Sequence, residues 1–380
     1  MKNSEFRIKN EEFKAVRCVA QFSILNSQFL ICTCFCALMT YAITFAAEQR
    51  LQFRFKPGDK FSLVSVTEQK TSRYVSAFGE TSPRGGDANE ESMEQNVRIE
   101  CDFDVEEVDL DGCAWAKYTY KRVALRARGA GVDMDYDSDA NRPKVPPQVL
   151  PLHLALGESF FVKITPQGRI DKINGLSAVA GNAKSKIPNF ADRDLLIQLV
   201  EQYFDEHAIK RDMESQFAVF PDAGALPIDI GSTWNRHEQK DGARAALQWS
   251  WCFSQRRGTA PDIKAIIDVN LIVSPIPESL LAKVEGPPNE EQEVTIGGVR
   301  ARREVSGQGT GRIEVDEATG RIISSTLTQD LVEKVILLPE GPIRRPPPAP
   351  APTRTHIVTT FQMIKRDSDQ PLVSPEPNRS

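Results

Sequence analysis

The chain is poor in the residues that enzymatic chemistry most often uses. Its four histidines, His153, His207, His237 and His356, lie far apart and form no ligand pair of recognisable spacing. There is no Gly-x-Ser-x-Gly elbow and no cysteine–histidine arrangement for a nucleophile. The sequence therefore nominates no catalytic residue, no metal ligand and no cofactor. A basic cluster is also missing. The formal net charge is −5 over 380 residues, which is a poor match to a phosphate backbone and argues against nucleic acid as a partner. Carboxylates are plentiful, so a fold-assembled Asp/Glu pair for hydrolysis stays open, but nothing singles one out.

Charge is absent from one stretch altogether. No charged residue occurs from Cys18 to Ala47, and Phe29–Ala46 is almost continuously apolar. Lys2, Arg7, Lys9, Lys14 and Arg17 precede it, and Thr44-Phe45-Ala46 closes it with a small-x-small exit. That order reads as a secretory signal peptide over residues 1–46, cleaved after Ala46. The alternative is an uncleaved N-terminal membrane anchor, since the apolar run approaches bilayer-spanning length. Either way the bulk of the chain is expected outside the cytoplasm, in the periplasm, cell envelope or medium. The segment carries five basic and three acidic residues, so its removal takes the net charge from −5 to −7. Cys101, Cys113 and Cys252 remain, too few and too scattered for a disulfide framework. With Asp109–Gly112 as a hairpin turn, Cys101 faces Tyr120 and Cys113 faces Val108, so these two are not expected to pair.

What is present is mostly β pattern. Leu51, Phe53 and Phe55 alternate with Gln52 and Arg54, and Val97, Ile99, Cys101, Phe103 and Val105 alternate with polar residues. Cys113–Arg128 returns with Trp115, Tyr118, Tyr120, Val123 and Leu125. Asp133, Asp135, Asp137 and Asp139 resemble the opening of a calcium loop. An EF-hand would need Gly at 138 and Glu at 144, where this chain has Ser138 and Lys144, so they read as a solvated strand face. Gly307, Gly309 and Gly311 run into a strand, not a helix N-terminus, so they read as a bulge or close packing instead of a phosphate loop.

One long helix interrupts this pattern. Asp192–Phe217 lacks Gly and Pro and repeats apolar residues at three- and four-residue spacing, with Asp192 as candidate N-cap and Pro221 as the stop. Its apolar stripe supplies the candidate ligand-binding residues: Leu196, Leu199, Val200, Tyr203 and Phe204. Such a helix either simply covers one face of a sheet or lies as a lid over a ligand cavity.

Signals on the two sides of the helix repeat in order. Gly58-Asp59-Lys60-Phe61 is matched by Gly231-Ser232-Thr233-Trp234, and Gly168-Arg169-Ile170 by Gly320-Arg321-Ile322. This points to an internal duplication. The expected organisation is a first β unit (47–175), a helical connection (176–225), a second β unit (226–366) with a Pro-rich loop (339–355), and a disordered tail (367–380). The fold class is mainly β (α+β): two antiparallel, curved sheet units of partial-barrel type, with one long amphipathic helix between them.

Lys56-Pro57-Gly58-Asp59-Lys60-Phe61, Asp135-Tyr136-Asp137-Ser138, Ile230-Gly231-Ser232-Thr233-Trp234 and the run from Gly309 to Ile322, together with the signal segment and central helix, resemble a secreted bacterial family of unknown function. The resemblance covers most of residues 50–366. It implies the fold and export, and it implies no catalytic residue. The expected function is that of a non-enzymatic envelope protein whose concave sheet binds a lipid or other apolar ligand, or an envelope protein partner. The competing readings are a scaffold without ligand and an extracellular hydrolase.

Overall fold

The computed structural model describes residues 51–75, 89–140, 145–188, 193–222, 228–240, 245–276, 293–296, 299–338 and 351–366. The export segment, the loop residues 339–350, the tail and the candidate N-cap Asp192 lie outside them. Among the described residues, thirteen strands form one antiparallel sheet: β1 (Lys60–Val75), β2 (Asn89–Val108), β3 (Ala114–Gly129), β4 (Val132–Asp137), β5 (Ser159–Ile164), β6 (Ile170–Asn174), β7 (Thr233–Lys240), β8 (Ala245–Arg257), β9 (Lys264–Pro275), β10 (Glu293–Ile296), β11 (Val299–Asp316), β12 (Ile322–Leu338) and β13 (Thr353–Lys365). The order is β6-β5-β3-β2-β1-β13-β12-β11-β9-β8-β7, with β4 added on β3 and β10 on β11.

The mainly β class is as the alternation predicts. The two halves, however, are not separate sheets. β1 and β13 pair from Phe61–Lys365 to Arg73–Thr353 and join them edge to edge. Read from β7, the strands run β7 to β13 and then β1 to β6, so one half follows the other in the same order.

Local geometry repeats between the halves. Gly58 and Gly231 take left-handed φ of 87° and 95° ahead of β1 and β7, where glycine carries no Cβ penalty. Gly58 N donates to Val105 O and Gly231 N to Phe253 O. Immediately beyond those acceptors, β2 and β8 each carry a bulge. A second bulge in the β2–β3 ladder, between Glu100 and Cys101, puts Cys101 opposite Tyr120 and leaves Lys121 as the extra residue. The side-chain period of a strand is two, so that extra residue lets Tyr120 and Val123 both face the core.

The connection between the halves carries α1 (Leu150–Leu154) and α2 (Leu176–Ser185), then α3 (Arg193–Tyr203) and α4 (Glu206–Phe217). The single long helix expected from the spacing is thus two. Asp205 breaks it: its backbone is extended, and its carboxylate accepts from Ala208 N at 2.9 Å, capping α4.

The sheet rolls around the C-terminal end of α4. From the β6 side, Ile170 N donates to Glu214 Oε1 at 3.0 Å, and Gly168 lies against the Phe217 carbonyl. From the β7 side, Trp234 Nε1 donates to Val219 O at 3.1 Å and Arg236 Nη1 to Ala218 O at 2.8 Å. The opposite edge strands of one sheet therefore hold neighbouring residues of one segment, as in an incompletely closed barrel. Residues 51–55 fasten the same end. They are extended, with Leu51, Phe53 and Phe55 buried as their alternation predicts, but they join no ladder. Instead Phe53 N donates to Pro166 O in the β5–β6 turn, and Arg54 N to Thr319 O in the β11–β12 turn. The aromatic hub of the core forms here: Phe217 packs on Phe53, Phe103 and Phe361 at ring-centre distances of 6.1, 5.7 and 5.6 Å.

Candidate functional site

Phe217 and its partners fill one end of the rolled sheet, and a cavity of about 260 Å³ remains beside α4. Its walls are Leu247 and Trp249 of β8, Leu271 and Val273 of β9, Val305 of β11, Leu327 and Leu331 of β12 and Phe361 of β13. Ser215 and Gln216 of α4 approach from above, and Ser325, Gln329 and Thr359 add neutral polar groups. Among the described residues no charged side chain lines it.

The glycine series on β11 lies between the cavity-lining strands β9 and β12. On a pleated strand Gly307, Gly309 and Gly311 face the same side as Val305 and Ile313. They pair with Leu331, Gln329 and Leu327 on β12, and with Val273, Leu271 and Val269 on β9. A Cβ on Gly307 would lie 2.1 Å from Asp330 O, and one on Gly311 would lie 2.5 Å from Thr326 O. The backbones are too close for a side chain, so the strip is bare and its neighbours' side chains stand around it. The glycines mark close packing, as the sequence suggested, and their ladder partners Leu271, Val273, Leu327, Gln329 and Leu331 line the cavity.

Trp249 is 9% exposed. Its ring stacks on Trp251 at 5.9 Å with 12° between planes, and Trp251 stacks on Trp234. Trp234 donates its indole N–H to Val219 O, but Trp249 Nε1 is buried with no acceptor among the described residues.

The helical residues nominated from sequence lie elsewhere. Val200 and Phe204 are buried in the core, Leu196 and Tyr203 pack against it, and Leu199 is half-buried. Phe204 meets Tyr120 edge-on at 6.2 Å. The stripe is used in covering the first half of the sheet, and none of the five lines the cavity. The signal that was available is Gly307-Gln308-Gly309-Thr310-Gly311: glycine at every second place inside a strand leaves one face without side chains.

Several other ionisable groups have structural partners. Asp137 and Asp139 both reach Arg122, at 2.6 and 3.3 Å, while Asp133 pairs with Arg128. Among the described residues no group of His, Cys, Asp or Glu is arranged to hold a metal ion. Within Asp135-Tyr136-Asp137-Ser138, Tyr136 Oη lies 2.6 Å from His153 Nδ1 and Ser138 Oγ accepts from Val123 N, so the motif fastens β4, β3 and α1 together. Glu100 is buried but neutralised by Arg98 and Arg122 at 2.7 and 3.2 Å. Burial pushes the Cys101 thiol and the Tyr118 and Tyr120 phenols up, keeping all three neutral. Cys101, Cys113 and Cys252 are all free. On the convex face an open groove of about 480 Å³ is lined by Glu68, Lys70, Glu94, Arg126, Arg128 and His356. Lys70 pairs with Glu94 at 3.0 Å, Arg128 pairs with Asp133 at 3.5 Å, and the His356 ring lies 2.7 Å from Asp330, as on an ordinary solvated face.

The profile of a family of unknown function, DUF6263, matches residues 111–322, more than half of the chain. The chain belongs to DUF6263. The matched span runs from the β2–β3 turn to the first residue of β12. It includes all four helices, the glycine series and Trp249, while the β12 and β13 walls of the cavity fall beyond it. No curated protein matches this DUF6263 chain. Among solved structures, lipovitellin, from a study of its lipid–protein interactions, is 10% identical over 85% of this chain and 26% of its own, with a TM-score of 0.37. The chain thus spans about a quarter of that protein. Pseudomonas aeruginosa OccK2 (OpdF) is 6% identical over 81% of this chain and 99% of its own, with a TM-score of 0.16. Neither likeness is close enough to carry a fold or a ligand across.

Proposed function

We propose that this DUF6263 protein is an exported binding module that takes the hydrocarbon chain of an apolar ligand into its rolled sheet. The observation that carries the reading is the largely apolar cavity, which no charged side chain lines among the described residues. A plain scaffold gains stability by filling its interior, because interiors pack at crystal density. Here the close approach of β12 to β11 keeps side chains out of the strip. The size suits a chain or one ring system better than a whole lipid, since small-molecule pockets start at about 300 Å³. Export, with residues 1–46 as the leader, would bring the protein to the envelope, where such chains are abundant.

The test uses the environment-sensitive dye 1-N-phenylnaphthylamine with residues 47–380. Dye fluorescence should rise on binding and fall as straight-chain competitors displace it. Each buried methylene contributes about 0.8 kcal/mol, so competitor affinity should climb roughly fourfold per methylene and level off once the cavity is full. Leu327→Trp, which puts an indole into the space, should abolish dye binding while leaving the circular dichroism spectrum unchanged. Wild-type protein that never binds the dye, or a variant that binds it equally well, would remove this reading.

A further inference from the structure

The walls of the cavity differ in chemistry, and that difference, resting on the apolar-ligand reading, narrows the class of ligand. Among the described residues β8, β9 and β11 line it with apolar and aromatic side chains. β12 and β13 mix apolar with neutral polar groups. The two-residue period puts Ser325 and Gln329 on the same face of β12 as Leu327 and Leu331, and Thr359 on the same face of β13 as Phe361. All six line the cavity. Thr359 stands opposite Leu327, so Ser325 and Gln329 are its diagonal neighbours, roughly 7 Å away. Gln329 Cγ lies 3.1 Å, and Leu271 Cβ 3.4 Å, from where a Cβ on Gly309 would stand. The Gln329 stem therefore lies beside Leu271 on the cavity side of the sheet.

The polar residues that α4 brings are occupied: Ser215 Oγ donates to Asp212 O at 2.7 Å, and Gln216 Nε2 lies 3.5 Å from Asp212 Oδ2. Ser325, Gln329 and Thr359 are half-buried, and among the described residues their side chains have no hydrogen-bond partner in the protein. Unlike the Trp249 indole nitrogen, their polar atoms are not sealed from solvent. Open groups of this kind hydrogen-bond to water, and a plain hydrocarbon that displaces the water leaves them unmet at a cost. A carboxamide and two hydroxyls each donate and accept. They match a group that does both and is neutral, because among the described residues no charged side chain lines the cavity to balance an ion.

We infer that the ligand is a hydrocarbon bearing a hydroxyl group, its chain against β8, β9 and β11 and its hydroxyl hydrogen-bonded to Gln329 and Thr359. Competition against 1-N-phenylnaphthylamine at pH 7.5 tests this with 1-octanol and nonane, which match in length, and with octanoate and octylammonium. Water alone drives the alkane out more strongly than the alcohol, so the readout is the change each ligand shows between wild type and Gln329→Leu, which removes the amide at similar volume. 1-Octanol should bind this variant about fivefold more weakly, the worth of one neutral hydrogen bond. Nonane should bind it as tightly as wild type or more so, which also shows the cavity intact. Thr359→Val should act in the same direction. In wild type both ions should bind more weakly than 1-octanol. 3-Octanol separates two sources of the same group: displacement by both alcohols identifies a chain hydroxylated along its length, and by 1-octanol alone a terminal alcohol. An unchanged 1-octanol affinity in both variants, or a parallel loss of 1-octanol and nonane, overturns the inference while the apolar-ligand reading stands. So does wild-type protein that binds octanoate or octylammonium as tightly as 1-octanol. If nonane and the dye both fail to bind wild type, the underlying reading falls with it.

Discussion

Phe217→Ala is the most informative single perturbation of this architecture. Phe217 is 0% exposed, and its ring meets Phe53 from the N-terminal clamp, Phe103 from the first half of the sheet and Phe361 from the second. A buried Phe→Ala substitution costs about 3–5 kcal/mol in transfer and cavity terms. The upper end is expected here, because each aromatic pair is worth about 0.5–1.5 kcal/mol beyond its area. With an unfolding entropy of about 2.1 cal/mol/K per residue, residues 51–380 give about 0.7 kcal/mol/K, so Tm should fall by roughly 4–7 °C. Differential scanning calorimetry of wild type and variant is the assay. One transition should move as a whole, since both halves lean on this ring. A Tm within about 1 °C of wild type would refute the hub. Two transitions with only one displaced would refute the claim that the halves form one cooperative sheet.

The turn glycines should respond unequally to alanine. A Cβ on Gly320 would stand 1.7 Å from Gln52 O and one on Gly168 1.9 Å from Phe217 O, whereas Gly58 has nothing within 4 Å; all three have positive φ. Gly58→Ala should therefore cost only the left-handed strain of about 1–2 kcal/mol, and urea titration should show Gly168→Ala and Gly320→Ala costing clearly more. Equal losses at the three sites would contradict the clamp. For His153, burial comes first and Lys186 second in holding its pKa below the ordinary value. A depressed folded pKa means full stability above the unfolded value of about 6.5, lost as pH falls through the folded pKa. Tm should thus drop between pH 7.5 and 5, and His153→Gln should flatten the part of that drop which His153 contributes. An unchanged profile in the variant would refute the assignment.

The strands were legible because their burial is one-sided: Val97 to Val105 and Leu247 to Phe253 alternate plainly, and nearly every strand predicted from such a run exists. The turns were legible for a different reason. Gly58, Gly168, Gly231 and Gly320 need positive φ, and that need is local. Gly58 and Gly231 also make matching hydrogen bonds, to Val105 O and Phe253 O. The pairing of β1 with β13 was not legible, since residues nearly 300 positions apart carry no local mark of adjacency. The break at Asp205 was missed because its apolar neighbours keep helical spacing on both sides, and only the backbone shows that its carboxylate caps α4. The cavity was missed for the same long-range reason. Leu271, Leu327 and Trp249 come from three strands and share a wall only once the sheet has rolled around α4. The helical stripe looked like the binding surface because an apolar face must be covered, and β3 and α2 cover it.

The central claim is that the rolled sheet carries an apolar ligand, and native mass spectrometry tests it most directly. Residues 47–380 would be purified without detergent from the periplasm of an expressing host and sprayed under non-denaturing conditions. The complex should be heavier than the polypeptide by the mass of one apolar compound, released on denaturation and absent from Leu327→Trp. A bare polypeptide mass that stays bare after incubation with 1-N-phenylnaphthylamine would contradict it.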